Sequence, residues 1–263
     1  MEDYKKVNRQ SWNERTKHHI TSDFYDVKGF LEGRNSLNSV EIDLMGNLKG
    51  KSVLHLQCHF GQDSISMARM GAQVTGADIS DEAITQANRL AKQAGVNVDF
   101  ICCDIYDLPE HLNKSFDIVF TSYGVIGWLP DLEQWAKVIN HFLKPGGKLI
   151  MVEFHPVVWM FDNDFEEIKY SYFKDEAIIE TETGTYTNPE APVELTTITW
   201  NHSLSEVLGA LLSQRLNITA FEEYDYSPYN CFKHTMEKEK GRYVIKHLGG
   251  KLPIVYALAA EKP

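Results

Sequence analysis

The stretch V-L-H-L-Q-C-H-F-G-Q-D-S, residues 53–64, decides the fold of this chain. It begins within an apolar strand pattern at residues 52–56, makes a tight turn, and enters a helical pattern after Gly61. A buried strand that leads directly into a helix is typical of a β-α-β unit, in which the next strand runs parallel to the first. The stretch therefore predicts an α/β domain with a parallel sheet.

The residues that follow repeat this alternation of short apolar runs and amphipathic stretches. One helical pattern stops at Gly95, and the K-P-G-G run at 144–147 ends another. The predicted strands are 73–77, 98–103, 116–120 and 148–154, and the predicted helices are 81–94 and 132–143. Near-continuous apolar strands between helices indicate a doubly wound α/β sheet that is covered on both faces.

Beyond residue 154 the pattern changes. The segment 166–200 has short runs of period two, which predict antiparallel strands with one wet face. A helix over 203–212 follows, with Ser203 as its N-cap, and further strands are expected near 218–226 and at 253–259. We divide the chain into an N-terminal helical lid or rim at 1–50, a ligand-binding core at 51–154, a small antiparallel β-rich insertion at 155–202, and a completion of the sheet at 203–263.

Composition narrows the class of protein. The 263 residues are 43% hydrophobic and 24% charged, and a chain of this length can bury a core without disulfides or metals. The net charge of −11, with no run of Lys and Arg, disfavours nucleic acid as a partner. The four cysteines lack metal-ligand spacing, so no metal site is expected. Without a membrane-length apolar run or a signal-like N-terminus, we expect a cytoplasmic monomer or homodimer that has no membrane partner.

The loops at the ends of the predicted strands form the candidate site, because ligands of open parallel sheets bind beyond the carboxyl ends of the strands. The turn at 57–61 precedes a helix, whose free backbone N–H groups can bind an anionic group. It contains one glycine and no G-x-G-x-x-G pattern, which weighs against a nicotinamide cofactor. Asp78 ends the second strand and is suited to accept hydrogen bonds from ribose hydroxyls, or else it caps the next helix together with Ser80. Asp104 is suited to accept from an adenine amino group.

Four motifs in order resemble those of the class I methyltransferase family, over roughly residues 48–153. V-L-H-L-Q-C-H-F-G at 53–61 is similar to the first motif, usually V-L-D-L-G-C-G-x-G. V-T-G-A-D-I-S at 74–80 is similar to the second-strand motif, and F-D-I-V-F at 116–120 to the fourth-strand motif. L-K-P-G-G-K-L at 143–149 is similar to the turn before the fifth strand. The resemblance implies a Rossmann-like, mostly parallel seven-stranded sheet and S-adenosylmethionine as cofactor.

The resemblance also implies a set of cofactor-binding residues in the strand-end loops. They are Gln57, Cys58, His59, Gly61, Asp63, Asp78, Ile79, Ser80, Asp104, Ile105, Thr121 and Ser122. The first motif departs from the family pattern, since His55, Gln57 and His59 replace the usual Asp, Gly and Gly. The loss of two glycines requires a turn that other residues can adopt, and the missing acid removes an anchor for the methionine part of the cofactor.

The acceptor of the methyl group is expected above the ends of the fourth and fifth strands. Tyr123 is a candidate wall of the acceptor pocket, and His155 is either a general base or a structural histidine at a strand end. Trp12, His18, His19 and Tyr25 are candidates for a lid, or for a helix packed on the rim. We expect methyl transfer to a small molecule. The alternatives are a non-catalytic protein that binds S-adenosylmethionine or S-adenosylhomocysteine, or a nicotinamide-dependent oxidoreductase.

Overall fold

The computed structural model describes residues 3–263, and its centre is a seven-stranded sheet in the order β3-β2-β1-β4-β5-β11-β8. The strands are β1 (Ser52–Leu56), β2 (Gln73–Asp78), β3 (Asp99–Cys102), β4 (Phe116–Ser122), β5 (Leu143–Phe154), β6 (Ile178–Thr183), β7 (Glu194–Thr199), β8 (Asn217–Tyr224), β9 (Thr235–Glu239), β10 (Arg242–Ile245) and β11 (Val255–Glu261). In this sheet β11 runs antiparallel to both of its neighbours, and the pairs among the first five strands are parallel. The predicted mostly parallel, doubly wound α/β sheet is confirmed.

Eight α-helices surround the sheet in residues 3–263. They are α1 (Tyr4–His19), α2 (Val27–Leu31), α3 (Ser39–Met45), α4 (Gln62–Arg69), α5 (Asp81–Ala94), α6 (Leu108–His111), α7 (Leu132–Phe142) and α8 (Leu204–Ser213). One apolar cluster packs α7 and α8 against one face of the sheet, around Trp135 and Leu211. Others pack α3, α4 and α5 against the opposite face, around Met67 and Leu90. No helix in residues 3–263 has the length and hydrophobicity to cross a membrane.

Local sequence explains where the main elements begin and end. Ser80 accepts a hydrogen bond from the backbone N–H of Ala83 and caps α5, and Gly95 ends that helix in the left-handed conformation at φ 70°. Ser203 caps α8 in the same way, as predicted. The strand expected at 148–154 is longer, because β5 begins at Leu143 and the K-P-G-G run forms an irregularity within it.

Two hairpins lie outside the main sheet. The first pairs β6 with β7, as the period-two pattern predicts. The second pairs β9 with β10, and the sequence analysis did not identify it. Both strands are short, and β9 is rich in exposed Lys and Glu, so the apolar alternation that marks a half-buried strand is weak there.

The strand order places a crevice at one edge of the sheet. The order reverses between β1 and β4, and the carboxyl ends of both strands reach the same edge. This is the switch point at which doubly wound sheets bind ligands. The loops that follow β1, β2, β3 and β4 therefore converge there.

Candidate functional site at the carboxyl edge of the sheet

The loop after β1 has the backbone conformation of a glycine-rich turn, although Gln57 and His59 replace two of the usual glycines. Gln57 and His59 have φ values of 54° and 50°, in the left-handed region that glycine adopts at no steric cost. Gly61 has a φ of 79°, and a Cβ atom there would lie 2.7 Å from the ring of Phe100. The two substitutions in the first motif therefore leave the backbone in the turn that the motif requires.

Asp78 connects the end of β2 to this loop. Its Oδ2 accepts a hydrogen bond from the backbone N–H of His59 at 2.8 Å, and its Oδ1 accepts one from the backbone N–H of Ser80 at 2.9 Å. Only 8% of the residue is exposed, and burial raises the pKa of its carboxyl to about 6. The helix cap itself is supplied by Ser80, so Asp78 is not the N-cap of α5. Each carboxylate oxygen keeps a lone pair for a ligand hydroxyl.

Asp104 follows β3 and lies at the same edge. Its Oδ1 accepts from the backbone N–H of Tyr106 at 2.9 Å and lies 3.5 Å from Nζ of Lys5 on α1. Ile105 beside it is buried, and Ile79 in the previous loop is half-buried. The pair of carboxylates with these apolar neighbours can accept hydrogen bonds from an adenosine and cover its flat faces.

The end of β4 is fixed by a buried carboxylate that sequence analysis did not single out. Glu153 on β5, 1% exposed, accepts hydrogen bonds from the backbone N–H groups of Gly124, Val125 and Ile126. Burial raises the pKa of Glu153, and these hydrogen bonds oppose that rise. An acid inside the apolar run of β5 was the available signal, because such a residue needs several donors.

Two buried polar atoms close to the switch point have no hydrogen-bond partner within residues 3–263. They are Oε1 of Gln57 and Oγ1 of Thr121. The amide nitrogen of Gln57 donates to the carbonyl of Val125 at 2.9 Å, which leaves its oxygen free. Buried polar atoms are normally paired, so these two atoms fit a site for a polar ligand between the ends of β1 and β4.

Tyr123 has a strained backbone and a buried acidic neighbour. Its φ of 37° is unusual for a bulky residue, and such strain is concentrated at functional sites. Glu41 on α3 is 1% exposed, and burial raises the pKa of its carboxyl to about 7. The Tyr123 hydroxyl partly offsets this rise in the pKa of Glu41, as does Asn38, which donates to Oε1 of Glu41 at 3.2 Å. Tyr229 packs edge-on against Tyr123, with ring centroids 5.0 Å apart, and its hydroxyl accepts from Asn38 at 2.9 Å.

His155 lies in different surroundings. Its Nε2 is 2.9 Å from Oε1 of Glu223 on β8, and its Nδ1 accepts from the backbone N–H of Val157 at 3.2 Å. Within residues 3–263, no hydrogen bond, ion pair or ring contact joins His155 to Tyr123 or to the predicted cofactor-binding residues. These contacts are those of a histidine fixed between strands, and its role as a base stays a prediction.

The N-terminal helix α1 lies across the loops. Asn13 accepts a hydrogen bond from Oγ of Ser80 at 2.7 Å, and Asn8 pairs with the backbone of Ile198 on β7 at 2.8 and 2.9 Å. Trp12 packs against His59, with ring centroids 5.3 Å apart. Helix α1 therefore contacts the loops after β1, β2 and β3 and the first hairpin.

Rings from separate parts of the chain meet under α1. His19 and Tyr25 contact His59 at centroid distances of 5.2 and 5.5 Å, and His19 contacts Tyr186 at 4.5 Å. The hydroxyls of Tyr25 and Tyr186 are 2.5 Å apart. Of the lid candidates, Trp12, His19 and Tyr25 are thus brought together. No ring contact within residues 3–263 joins His18 to them.

Comparisons with known proteins agree with this architecture. Residues 53–147 match the family model described as a methyltransferase domain. The chain is 33% identical over 134 residues to the ubiquinone biosynthesis O-methyltransferase of Idiomarina loihiensis, over 49% of this chain and 55% of that protein. The Coxiella burnetii protein of the same name is 33% identical over 133 residues, with 49% and 56% covered. The chain thus aligns with about half the length of these curated relatives.

Solved structures of low sequence identity share the fold. The geranyl diphosphate C-methyltransferase of Streptomyces coelicolor has a TM-score of 0.62 at 16% identity, with 99% of this chain and 98% of that chain covered. An S-adenosylmethionine dependent methyltransferase of Mesorhizobium loti has a TM-score of 0.58 at 16% identity, with 88% and 100% covered. The fold and its strand-end loops therefore define a Rossmann-like methyltransferase architecture. Residues 53–147 thus match a methyltransferase domain, and the chain shares its fold with S-adenosylmethionine-dependent methyltransferases.

Proposed function

We propose that this protein transfers a methyl group from S-adenosylmethionine to a small-molecule acceptor. The observation that carries the proposal is the position of Asp78, whose carboxylate joins the end of β2 to the loop after β1 at the switch point of a methyltransferase domain. An acid at that position suits the ribose of the cofactor. When bound, S-adenosylmethionine supplies a methyl group that is already activated for transfer.

The predicted cofactor residues divide into three groups by the loop they occupy. Asp78, with Ile79 and Ser80, would bind the ribose, and Asp104 and Ile105 would bind the adenine. The remaining residues would surround the methionine part from the ends of β1 and β4. They are Gln57, Cys58, His59, Gly61, Asp63, Thr121 and Ser122. The unpaired oxygens of Gln57 and Thr121 support this assignment, because a polar ligand would satisfy both.

The acceptor's proton has a candidate destination at Tyr123. Its hydroxyl adjoins Glu41, a carboxyl that can take up a proton near neutral pH because its pKa is about 7. The chain's other task is to align the acceptor and exclude water. The raised pKa of Glu41 therefore favours Tyr123 and Glu41 over His155, whose Nε2 lies 2.9 Å from Oε1 of Glu223.

A compact acceptor suits the residues near Tyr123. The rings of Tyr25, Tyr186 and Tyr229 come from the N-terminal segment, the first hairpin and the segment before β9. Desolvation raises the pKa of all three tyrosine hydroxyls. Each of these residues nevertheless keeps some accessible surface, and 38% of Tyr186 is exposed. Phe24 contacts all three rings, and Tyr229 contacts Tyr123, so these aromatic faces lie together and suit a compact acceptor. The net charge of −11 supports a metabolite rather than a nucleic acid as the acceptor, and the cytoplasmic monomer or homodimer stays a prediction.

The non-catalytic alternative rests on the altered first motif. The glycine-like backbone at Gln57 and His59 speaks against a decayed site, because the turn is kept despite its strain. A nicotinamide cofactor requires the backbone of the loop after β1 to approach a pyrophosphate closely. The bulky side chains of that loop hinder such an approach.

Calorimetric titration tests the proposal. The purified protein is titrated separately with S-adenosylmethionine, S-adenosylhomocysteine and NAD. Micromolar binding of both adenosyl compounds without binding of NAD is the expected result, and it leads to a screen of metabolites for methyl transfer. Absence of binding by both adenosyl compounds would overturn the proposal. Tight binding without turnover of any acceptor would favour the non-catalytic alternative.

A further inference from the structure

One oxygen of the Glu41 carboxylate has no partner. Glu41 on α3 is 1% exposed, and its Oε1 accepts a hydrogen bond from the side-chain nitrogen of Asn38 at 3.2 Å. Its Oε2 is buried and has no hydrogen-bond partner within residues 3–263, and no ion pair in this part of the chain includes Glu41. A buried carboxylate is costly when part of its lost hydration is not replaced. The unpaired oxygen therefore marks a place for a ligand group that donates hydrogen bonds.

Glu41 is linked to the acceptor side of the crevice by direct contacts. The same Asn38 nitrogen donates to the hydroxyl of Tyr229 at 2.9 Å, and the ring of Tyr229 packs edge-on against that of Tyr123, with centroids 5.0 Å apart. The hydroxyl of Tyr123 is also buried and has no partner among residues 3–263. Tyr123 directly follows β4, whose carboxyl end lies at the switch point. Three contacts thus connect the carboxylate to the loop where the methyl acceptor is expected.

The neighbouring aromatic rings have no cation of their own. Phe24 contacts Tyr229 and Tyr186 at centroid distances of 5.8 and 5.6 Å, and Tyr229 contacts Tyr123. In the described residues 3–263, no Lys or Arg side chain lies over the face of any of these four rings. The face of an aromatic ring is negative and attracts a cation within about 6 Å of its centroid. The rings and the carboxylate therefore favour the same kind of ligand group.

A hydroxyl, an amide and an ammonium group can all donate to the free oxygen. A hydroxyl or an amide would complete the hydrogen bond but leave the charge of a desolvated carboxylate uncompensated. An ammonium supplies both the donors and the opposite charge, and it also interacts favourably with ring faces. The net charge of −11 attracts a cationic metabolite from solution as well. An ammonium therefore fits these surroundings best.

We propose that the methyl acceptor is an amine, whose ammonium form binds to Oε2 of Glu41 among the rings of Tyr123, Tyr229 and Phe24. This inference rests on the proposed function and specifies the substrate class of the same site. The O-methyltransferases that are 33% identical to this chain align with about half of it, so an oxygen acceptor does not follow from them.

Glu41 has a second task in the methylation of an amine. An ammonium has no lone pair for attack, so it must first lose a proton, and the carboxylate that binds it can take up that proton. A bond then forms between the amine nitrogen and the methyl carbon, while the bond from that carbon to sulfur breaks and its electron pair stays on sulfur. The methylated amine leaves as a cation, and Glu41 releases its proton to solvent.

Matched pairs of amines and alcohols test the inference. Butylamine, benzylamine and phenethylamine are each compared with the alcohol of the same skeleton, by calorimetry on the protein saturated with S-adenosylhomocysteine. The titrations are run above pH 7, where the Glu41 carboxyl is ionised. At least one amine should bind about tenfold or more tightly than its alcohol. Glu41→Gln should remove that preference and leave the affinity for S-adenosylhomocysteine unchanged, since glutamine still offers an oxygen to Asn38.

Two kinds of variant serve as controls. Asp43→Asn removes an exposed acid from the same helix and should keep the preference for the amine. Tyr229→Phe keeps the aromatic ring, whereas Tyr229→Leu removes it. The preference for the amine should therefore be about fivefold smaller in the leucine variant than in the phenylalanine variant. Equal preferences in these two variants would show that the rings do not bind the cation.

The outcomes distinguish this inference from the function on which it rests. If the unmodified protein does not bind S-adenosylhomocysteine, the proposed function fails. If it binds S-adenosylhomocysteine but prefers no amine over its alcohol, the function stands and the amine assignment is wrong. Tighter binding of the alcohols would favour an oxygen acceptor instead. A preference for the amine that survives Glu41→Gln, or that is lost equally in Asp43→Asn, would also overturn the assignment.

Discussion

The carboxylate of Asp78 lies 2.8 Å from the backbone nitrogen of His59, so one side chain at the end of β2 fixes the loop that follows β1. Asp78→Ala removes this hydrogen bond and the one to Ser80. We expect the free energy of unfolding to fall by about 2 kcal/mol. Binding of S-adenosylhomocysteine should weaken by about 1–3 kcal/mol, because the ribose hydroxyls of this ligand lose their acceptor. Urea unfolding and calorimetry measure the two effects. Asp99→Ala, at an exposed position, is the control, and unchanged affinity would refute the ribose assignment.

The left-handed backbone at Gln57 predicts an order of stability for two substitutions. Gln57→Gly and Gln57→Ala both lose the hydrogen bond to Val125, so their difference reports the backbone alone. Because the φ of 54° is strained for any residue with a Cβ, the alanine variant should be less stable by about 1 kcal/mol. Chemical denaturation of the two proteins side by side measures the difference. Equal stability would mean that the loop does not keep this turn in solution.

The buried Glu153 carboxylate predicts a large effect from a small change. Glu153→Gln replaces one acceptor oxygen by an NH₂ group, which then faces backbone donors such as that of Val125. We expect a loss of about 3 kcal/mol in the free energy of unfolding, since a buried donor is left unpaired and charged hydrogen bonds are lost. Glu133→Gln, on the exposed side of α7, is the matched control. A loss as small as that of the control would show that the loop after β4 is held in another way.

The raised pKa of Glu41 predicts a pH dependence. In the unfolded chain this carboxyl ionises near 4.5, whereas burial keeps it protonated to about pH 7 in the folded protein. The folded state therefore binds the extra proton between these values, and its stabilising effect is complete below pH 4.5 and lost as the pH rises to 7. Relative to Glu41→Gln, the protein should lose about 3 kcal/mol of stability across this range. Urea unfolding of both proteins at several pH values measures this, and a pH-independent difference would contradict it.

Much of the fold and part of the site follow from local patterns. The strands β1, β2 and β4 are largely apolar, and parallel strands bring their carboxyl ends to one edge of the sheet. Asp78 and Asp104 could therefore be placed at this edge from the sequence. The adoption of a left-handed turn by Gln57 and His59 was not predictable, because neither residue favours it.

The acidic neighbour of Tyr123 required tertiary information. Glu41 lies on a helix before β1, and no local pattern states which loop a peripheral helix covers. The surroundings of His155 also required tertiary information, since its position after β5 suggested a base, while its contact with Glu223 depends on the antiparallel strands added at the end of the sheet.

The two hydrogen bonds between Asn8 and Ile198 join residues 190 positions apart in the chain. During synthesis α1 is made before the core strands β1 to β5, yet its partner strand β7 is made only after them. Contacts of such sequence separation form late, because loop closure must precede them. The contacts of α1 with β7 can therefore form only once residue 199 has been made, so the helix that covers the crevice lacks its partner strand until after the first five strands of the sheet have been made.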